Sequence, residues 1–199
     1  MMNTTEGHAG LRFQFKVLDG GEEPKRGKPS DVGWDLFARA IVDPLGGFGD
    51  DGRRCTVVDL STPLDKRPTY ILHPDSKSVA VGLGVAVSIP AGYAGFVKPR
   101  GGAVRFRQDG KIIRLVIANE GVPIDPGFTG EIWAEVVNVG ENPFRIKYGS
   151  RFCQLVVVSA LVGEAEIVSE FSGSKQFLNL RGRMANGSSG AIDPPSSPL

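Results

Sequence analysis

Cysteine and histidine are scarce in this chain: two of each among 199 residues. Cys55 and Cys153 lie far apart, and neither stands near His8 or His73 at the short spacing a tetrahedral zinc site needs. Two cysteines make no disulfide scaffold, so a reducing compartment fits. Cys153, inside an apolar strand pattern, reads as a small core residue. An excess of one charge is also lacking: 23 Lys+Arg against 22 Asp+Glu give a formal charge of +1. Composition therefore writes no bulk attraction to nucleic acid or membrane, and any anion binding must come from local clusters. No apolar run reaches membrane-spanning length, and Met1–Gly10 shows no basic segment followed by an apolar stretch. A soluble, cytoplasmic protein that engages neither nucleic acid nor membrane is expected.

What the chain does have is 27 glycines, 14 prolines and 41% hydrophobic residues, with short apolar runs between turn signals. That pattern predicts many short strands around a single core, an all-β domain. Leu11–Leu18 alternates apolar and polar residues, as a strand with one buried face should. Val79–Ile89, Pro90–Tyr93 and Ala94–Val97 read as strand, turn and strand, and Phe144–Tyr148 and Arg151–Val158 continue the pattern. The domain is expected to cover 1–172. Within it, about 43–78 mixes Gly-Gly, Asp-Asp-Gly, Arg-Arg and prolines with two apolar pieces, Thr56–Leu60 and Thr69–Leu72, and reads as an insertion carrying a hairpin. From 173 to 199, Gly, Ser, Arg and Pro dominate and a flexible tail is expected.

The most informative stretch is Gly121-Val-Pro-Ile-Asp-Pro-Gly-Phe-Thr-Gly-Glu131, between the β-branched runs Arg114–Ala118 and Ile132–Val137. It reads as a β-hairpin with one carboxylate, Asp125, at its bend. Such a bend offers backbone N–H and C=O groups to a flat heterocycle while the acid works nearby. Asp-Pro-Gly is also ordinary turn chemistry, so its company decides the reading. Upstream stand Asp31-Val-Gly-Trp-Asp-Leu-Phe-Ala38 and Gly95-Phe-Val-Lys-Pro-Arg-Gly-Gly-Ala103. Downstream stand Tyr148-Gly-Ser-Arg-Phe-Cys-Gln-Leu-Val156 and Arg181-Gly-Arg-Met-Ala-Asn-Gly-Ser-Ser-Gly190.

In this order and spacing the five segments resemble the five motifs of the deoxyuridine triphosphatase (dUTPase) family, which shares its fold with the dCTP deaminases. The resemblance implies a dUTPase-like fold (β-clip, jelly-roll-like), a distorted all-β barrel assembled as a homotrimer with sites built from several subunits. It implies magnesium-assisted hydrolysis of dUTP to dUMP and pyrophosphate, which cleans the nucleotide pool and supplies dUMP. Asp125 matches the general base on the attacking water; a carboxylate suits because it is ionised at neutral pH and short enough to hold a water in line. Asn119, with Ile124 and neighbouring backbone of the bend, matches the reader of the uracil edge. Phe128 stands where tyrosine usually lies against the deoxyribose, keeping the steric function without the phenol. Arg100, Gly101 and Gly102, with Gln154, match the phosphate site, and Arg151 a brace for neighbouring chain. Asp35 matches an aspartate that supports the magnesium-triphosphate site indirectly, so no side chain is expected to bind the metal directly. Arg181, Gly187 and Ser188 match the closing fifth motif.

The chain departs from the family at four places. Pro-Arg-Ser-Gly is here Pro99-Arg-Gly-Gly102, which removes a phosphate-contacting hydroxyl, although backbone N–H groups of a Gly-Gly turn can still cradle a phosphate. Asn186 replaces the residue that stacks on the base, Val122 stands where glycine is common, and Phe128 lacks its hydroxyl. Two alternatives stay open. A zinc-independent dCTP deaminase, or a bifunctional deaminase-hydrolase, would use Glu135 and Arg105, although the serine that deaminases carry is Gly101 here. Absence of zinc-ligand spacing disfavours the zinc deaminases. A nucleotide-binding or protein-interaction homologue without turnover is the third reading.

Overall fold

The computed structural model describes residues 12–167 apart from 64, 65 and 104. Arg181, Asn186, Gly187 and Ser188, like the whole tail expected at 173–199, lie outside the described residues. In chain order the strands are β1 (Gln14–Val17), β2 (Trp34–Leu36), β3 (Ala40–Val42), β4 (Thr56–Asp59), β5 (Tyr70–Leu72), β6 (Val79–Gly82) and β7 (Val85–Ser88). They continue with β8 (Tyr93–Pro99), β9 (Phe106–Gln108), β10 (Lys111–Ile113), β11 (Leu115–Ile117), β12 (Trp133–Asn138), β13 (Phe144–Ile146) and β14 (Cys153–Ser159). No helix occurs among the described residues, as the short apolar runs and frequent turn residues predict.

A five-stranded sheet in the order β11-β12-β6-β3-β4 packs with a three-stranded sheet, β2-β14-β8, and three two-stranded ladders, β1-β7, β13-β5 and β9-β10. All the ladders are antiparallel. Along β12 burial alternates, sending Ala134, Val136 and Asn138 inward, whereas all four residues of β6 are buried. The core joins Leu36, Val81, Leu83, Val85, Ile117, Val136 and Leu155, each worth roughly 1.5–3 kcal/mol on burial. Asn138 is admitted to it because its amide is satisfied: Nδ2 donates to the carbonyls of Leu72 and Asn142, and Oδ1 accepts from the Gly140 N–H. Cys153 is fully buried between β2 and β8, and burial pushes its thiol pKa well up, in keeping with its reading as a core residue.

Two sequence expectations change. The run Val79–Ile89 is not one strand: it breaks at Gly84, whose φ of +65° glycine adopts without strain and where a Cβ would stand 2.4 Å from the Gly21 Cα. The Leu18 N–H donates to the Gly84 carbonyl, and the chain leaves the five-stranded sheet to pair β7 with β1. Likewise the two apolar pieces of the insertion do not form a hairpin with each other. β4 joins the edge of the large sheet beside β3, while β5 pairs with β13.

Candidate active site

The three-stranded sheet explains how distant sequence segments meet. β14 lies between β2 and β8, setting Gln154 opposite both Asp35 and Lys98. The first, second and fourth segments thus become adjacent strands. Beside them, a cleft of about 320 Å³ is lined by Gly33, Asp35, Arg100, Gly101, Gly102 and Gln154, among others. Asp35 is buried and holds two guanidinium groups, accepting from Arg100 Nε at 2.5 Å and from Arg151 Nη1 at 3.1 Å. Nε is the one Arg100 side-chain group bonded to protein among the described residues, so the rest of its donor fork is left for an anion. Gln154 donates from Nε2 to the Pro99 carbonyl at 3.2 Å. Its Oε1 lies so close to Gly33 that a Cβ there would stand 2.0 Å away, and any larger residue would have to displace the Gln154 amide. By contrast, nothing lies within 4 Å of a Cβ built at Gly101 or Gly102.

The predicted hairpin is present, as β11 paired with β12, but its connection is a broad loop rather than a tight bend. Two backbone bonds fasten the loop to β8: Gly95 N–H to the Ile124 carbonyl at 3.0 Å, and Ile124 N–H to the Gly95 carbonyl at 2.7 Å. Asp125 follows Ile124 directly and is exposed, and its carbonyl accepts the Phe128 N–H at 3.2 Å. The loop encloses a pocket of about 360 Å³ whose lining includes Arg54, Asn119, Ile124, Asp125, Phe128 and Trp133. Asn119 braces the hairpin: its Oδ1 accepts the Glu135 N–H at 2.9 Å and its Nδ2 donates to the Trp133 carbonyl at 3.2 Å. One amide hydrogen of Asn119 is left for a ligand.

The pocket and the cleft share no lining residue, although β8 contributes Val97 to the first and leads into Arg100 at the second. Glu135 and Arg105 line neither; Glu135 is half-buried in β12 opposite Ala80, and Arg105 is exposed just before β9. Among the described residues, no three histidine, cysteine or carboxylate side chains gather as a metal site, and both Asp35 oxygens are engaged by arginines.

Sequence reasoning missed the support beneath the pocket. Glu131 and Arg39 are both fully buried and form a bidentate pair, Nε to Oε1 and Nη2 to Oε2, each at 2.8 Å. Glu131 further accepts the backbone N–H groups of Gly84 and Arg54, each at 2.8 Å. Arg54 belongs to the insertion, and burial lowers its guanidinium pKa while Glu131 opposes that shift. Nothing in the local sequence marks these residues, because Glu131 and Arg39 stand 92 positions apart.

A family model described as dCTP deaminase-like matches residues 50–160. The deoxyuridine 5'-triphosphate nucleotidohydrolase of Alcanivorax borkumensis is 31% identical over 166 residues, covering 83% of this chain and 93% of that one. In fold the chain is similar to a mutant dUTPase of Staphylococcus bacteriophage 80alpha with dUpNHpp, at TM-score 0.61 and 24% identity, covering 90% of this chain and 99% of that one. It is also similar to a mutant dUTPase from phage phi11 of S. aureus, solved for the coordination of a structural Mg(II) ion, at TM-score 0.57 and 22% identity, covering 81% and 99%. The ordered motifs, the strand arrangement that gathers them and the extent of the match to the bacterial enzyme lead to one conclusion: this chain belongs to the dUTPase family.

Proposed function

We propose that this protein hydrolyses dUTP to dUMP and pyrophosphate, with Asp125 as the general base. The observation that carries the reading is the exposed Asp125 carboxylate at an aromatic-walled pocket, on a loop pinned to β8 through Ile124. The pocket is of a size and character for a pyrimidine and its sugar, with the Phe128 ring against the deoxyribose. A water held by Asp125 attacks the α-phosphorus. As its oxygen bonds to phosphorus, its proton passes to the carboxylate, the bond from the α-phosphorus to the bridging oxygen breaks, and pyrophosphate leaves. Arg100, the Gly101–Gly102 backbone and Gln154 hold the phosphates where negative charge develops. Asp35 keeps Arg100 in place through its short bond, and the family resemblance assigns Arg181, Gly187 and Ser188 to the phosphates.

Magnesium, carried on the triphosphate rather than on a side-chain cage, supplies neutralising charge and aligns the phosphates. This fits a donor set whose one buried carboxylate, Asp35, is already committed to two arginines. Since pocket and cleft have no residue in common, the complete site is proposed to form in a homotrimer, the pocket of one subunit facing the arginine cleft of the next. The test is product analysis with dUTP and dCTP separately, each with magnesium. The expected result is dUMP and pyrophosphate from dUTP and no ammonia from dCTP. Ammonia release would instead bring Glu135 and Arg105 into the chemistry. Asp125→Asn is expected to abolish turnover and to retain nucleotide binding; retained turnover would refute its role as base.

A further inference from the structure

Resting on that reading of the pocket, we infer that Arg54 is a specificity-determining residue that donates to a carbonyl oxygen of the pyrimidine, which makes the insertion segment 43–55 part of the substrate site. Arg54 lines the pocket together with Asn119, Asp125, Phe128 and Trp133. Its guanidinium carbon lies 4.5 Å from the centre of the Phe48 ring and 5.2 Å from that of Trp133. Phe48 in turn meets Phe128 edge to face at 6.0 Å. Phe128, Phe48, Arg54 and Trp133 therefore form one continuous wall. Gly130 permits it, since a Cβ there would stand 2.4 Å from the Phe48 ring.

The segment is fastened where it stands. Arg54 N–H donates to Glu131 Oε2, Glu131 N–H donates to the Gly52 carbonyl at 2.9 Å, and Gly49 N–H donates to the Arg53 carbonyl at 2.8 Å. Within the guanidinium, Nη1 donates to the Pro44 carbonyl at 2.9 Å. Nε is buried without an acceptor, and Nη2 has none among the described residues. Nε is closed off from solvent, so Nη2 is the guanidinium donor left for an acceptor in the pocket. A hydrogen bond from this charged donor to a ligand carbonyl gains affinity. The acceptor is assigned to the base because the walls here are apolar and aromatic, Ile124, Phe128, Ile132 and Trp133, while the phosphate-binding groups line a separate cleft.

The experiment measures binding of dUMP and of a non-hydrolysable α,β-imido dUTP by calorimetry, and dUTP kinetics, in the full-length wild type, Arg54→Met and Arg54→Lys. Wild-type turnover tests the underlying functional reading, and the Arg54 variants test this one. Arg54→Met is expected to weaken both ligands by the same factor, roughly tenfold or more, and to raise KM while kcat stays within about threefold. Arg54→Lys keeps charge and stem but not the fork, and is expected to recover less than half of the lost binding free energy. Unchanged dUMP affinity in a variant that melts like the wild type overturns the proposal. A loss confined to the triphosphate analogue also overturns it, by moving Arg54 to the phosphates. Should Arg54→Met fail to fold, Arg54→Lys is read by the same two criteria.

Discussion

Replacing Arg39 by methionine removes one half of the buried pair beneath the pocket. Glu131 keeps two backbone donors, from Gly84 and Arg54, but loses both guanidinium bonds and the only cation that bonds to it among the described residues. Taking one partner from a buried ion pair costs about 3–5 kcal/mol, because a charge is left uncompensated in a medium of low polarity. In a chain of this size 1 kcal/mol corresponds to about 2–4 °C, so Tm should fall by roughly 6–20 °C. The assay is thermal melting by circular dichroism at fixed protein concentration, since the Tm of the proposed trimer would depend on it. Adding Glu131→Gln removes the stranded charge while an amide oxygen still accepts from one backbone N–H. The double variant should therefore regain at least half of the loss, giving a coupling energy of a few kcal/mol in a double-mutant cycle. The reasoning is refuted if Arg39→Met melts within about 2 °C of the wild type, which would put the cost below about 1 kcal/mol. A double variant no more stable than Arg39→Met would refute it equally.

Three further outcomes are expected. Gly101→Ser should raise kcat about tenfold by supplying one transition-state hydrogen bond, since nothing lies within 4 Å of the new Cβ to displace it; an unchanged or lower kcat in steady-state assays would mean that the backbone already does this work. Gly33→Ala should push the Gln154 amide away from its place, because the added carbon would stand 2.0 Å from Oε1. The measured sign is a tenfold or larger fall in kcat/KM, on the order of one lost hydrogen bond to a charged group. Chelation by EDTA should abolish dUTP turnover and added magnesium restore it, with no change in Tm, as no side-chain metal cage holds the described fold together.

The strand class was legible because period-two alternation and turn residues are local properties of the chain. β1, β11, β12 and β14 fall where the alternating and β-branched runs lie. The same local reading failed at Val79–Ile89, where apolar residues on both sides of Gly84 mask the break there, and at Thr56–Leu72, where adjacency in sequence suggests a pairing but β4 takes β3 and β5 takes β13 as partner. The site was legible only as a series of motifs: Asp35, Arg100, Asp125 and Gln154 each sit in short segments whose resemblance points to nucleotide chemistry. The sequence by itself determined which side chains were available and which backbone could turn. Tertiary structure alone decided that β14 would bring Asp35 and Arg100 together, that Asn119 would brace a hairpin, and that Arg54 would reach the pocket on the back of the Arg39–Glu131 pair. Those outcomes rest on contacts between residues far apart in the chain, formed when sheets stack and desolvate charges in pairs, and no local pattern encodes them.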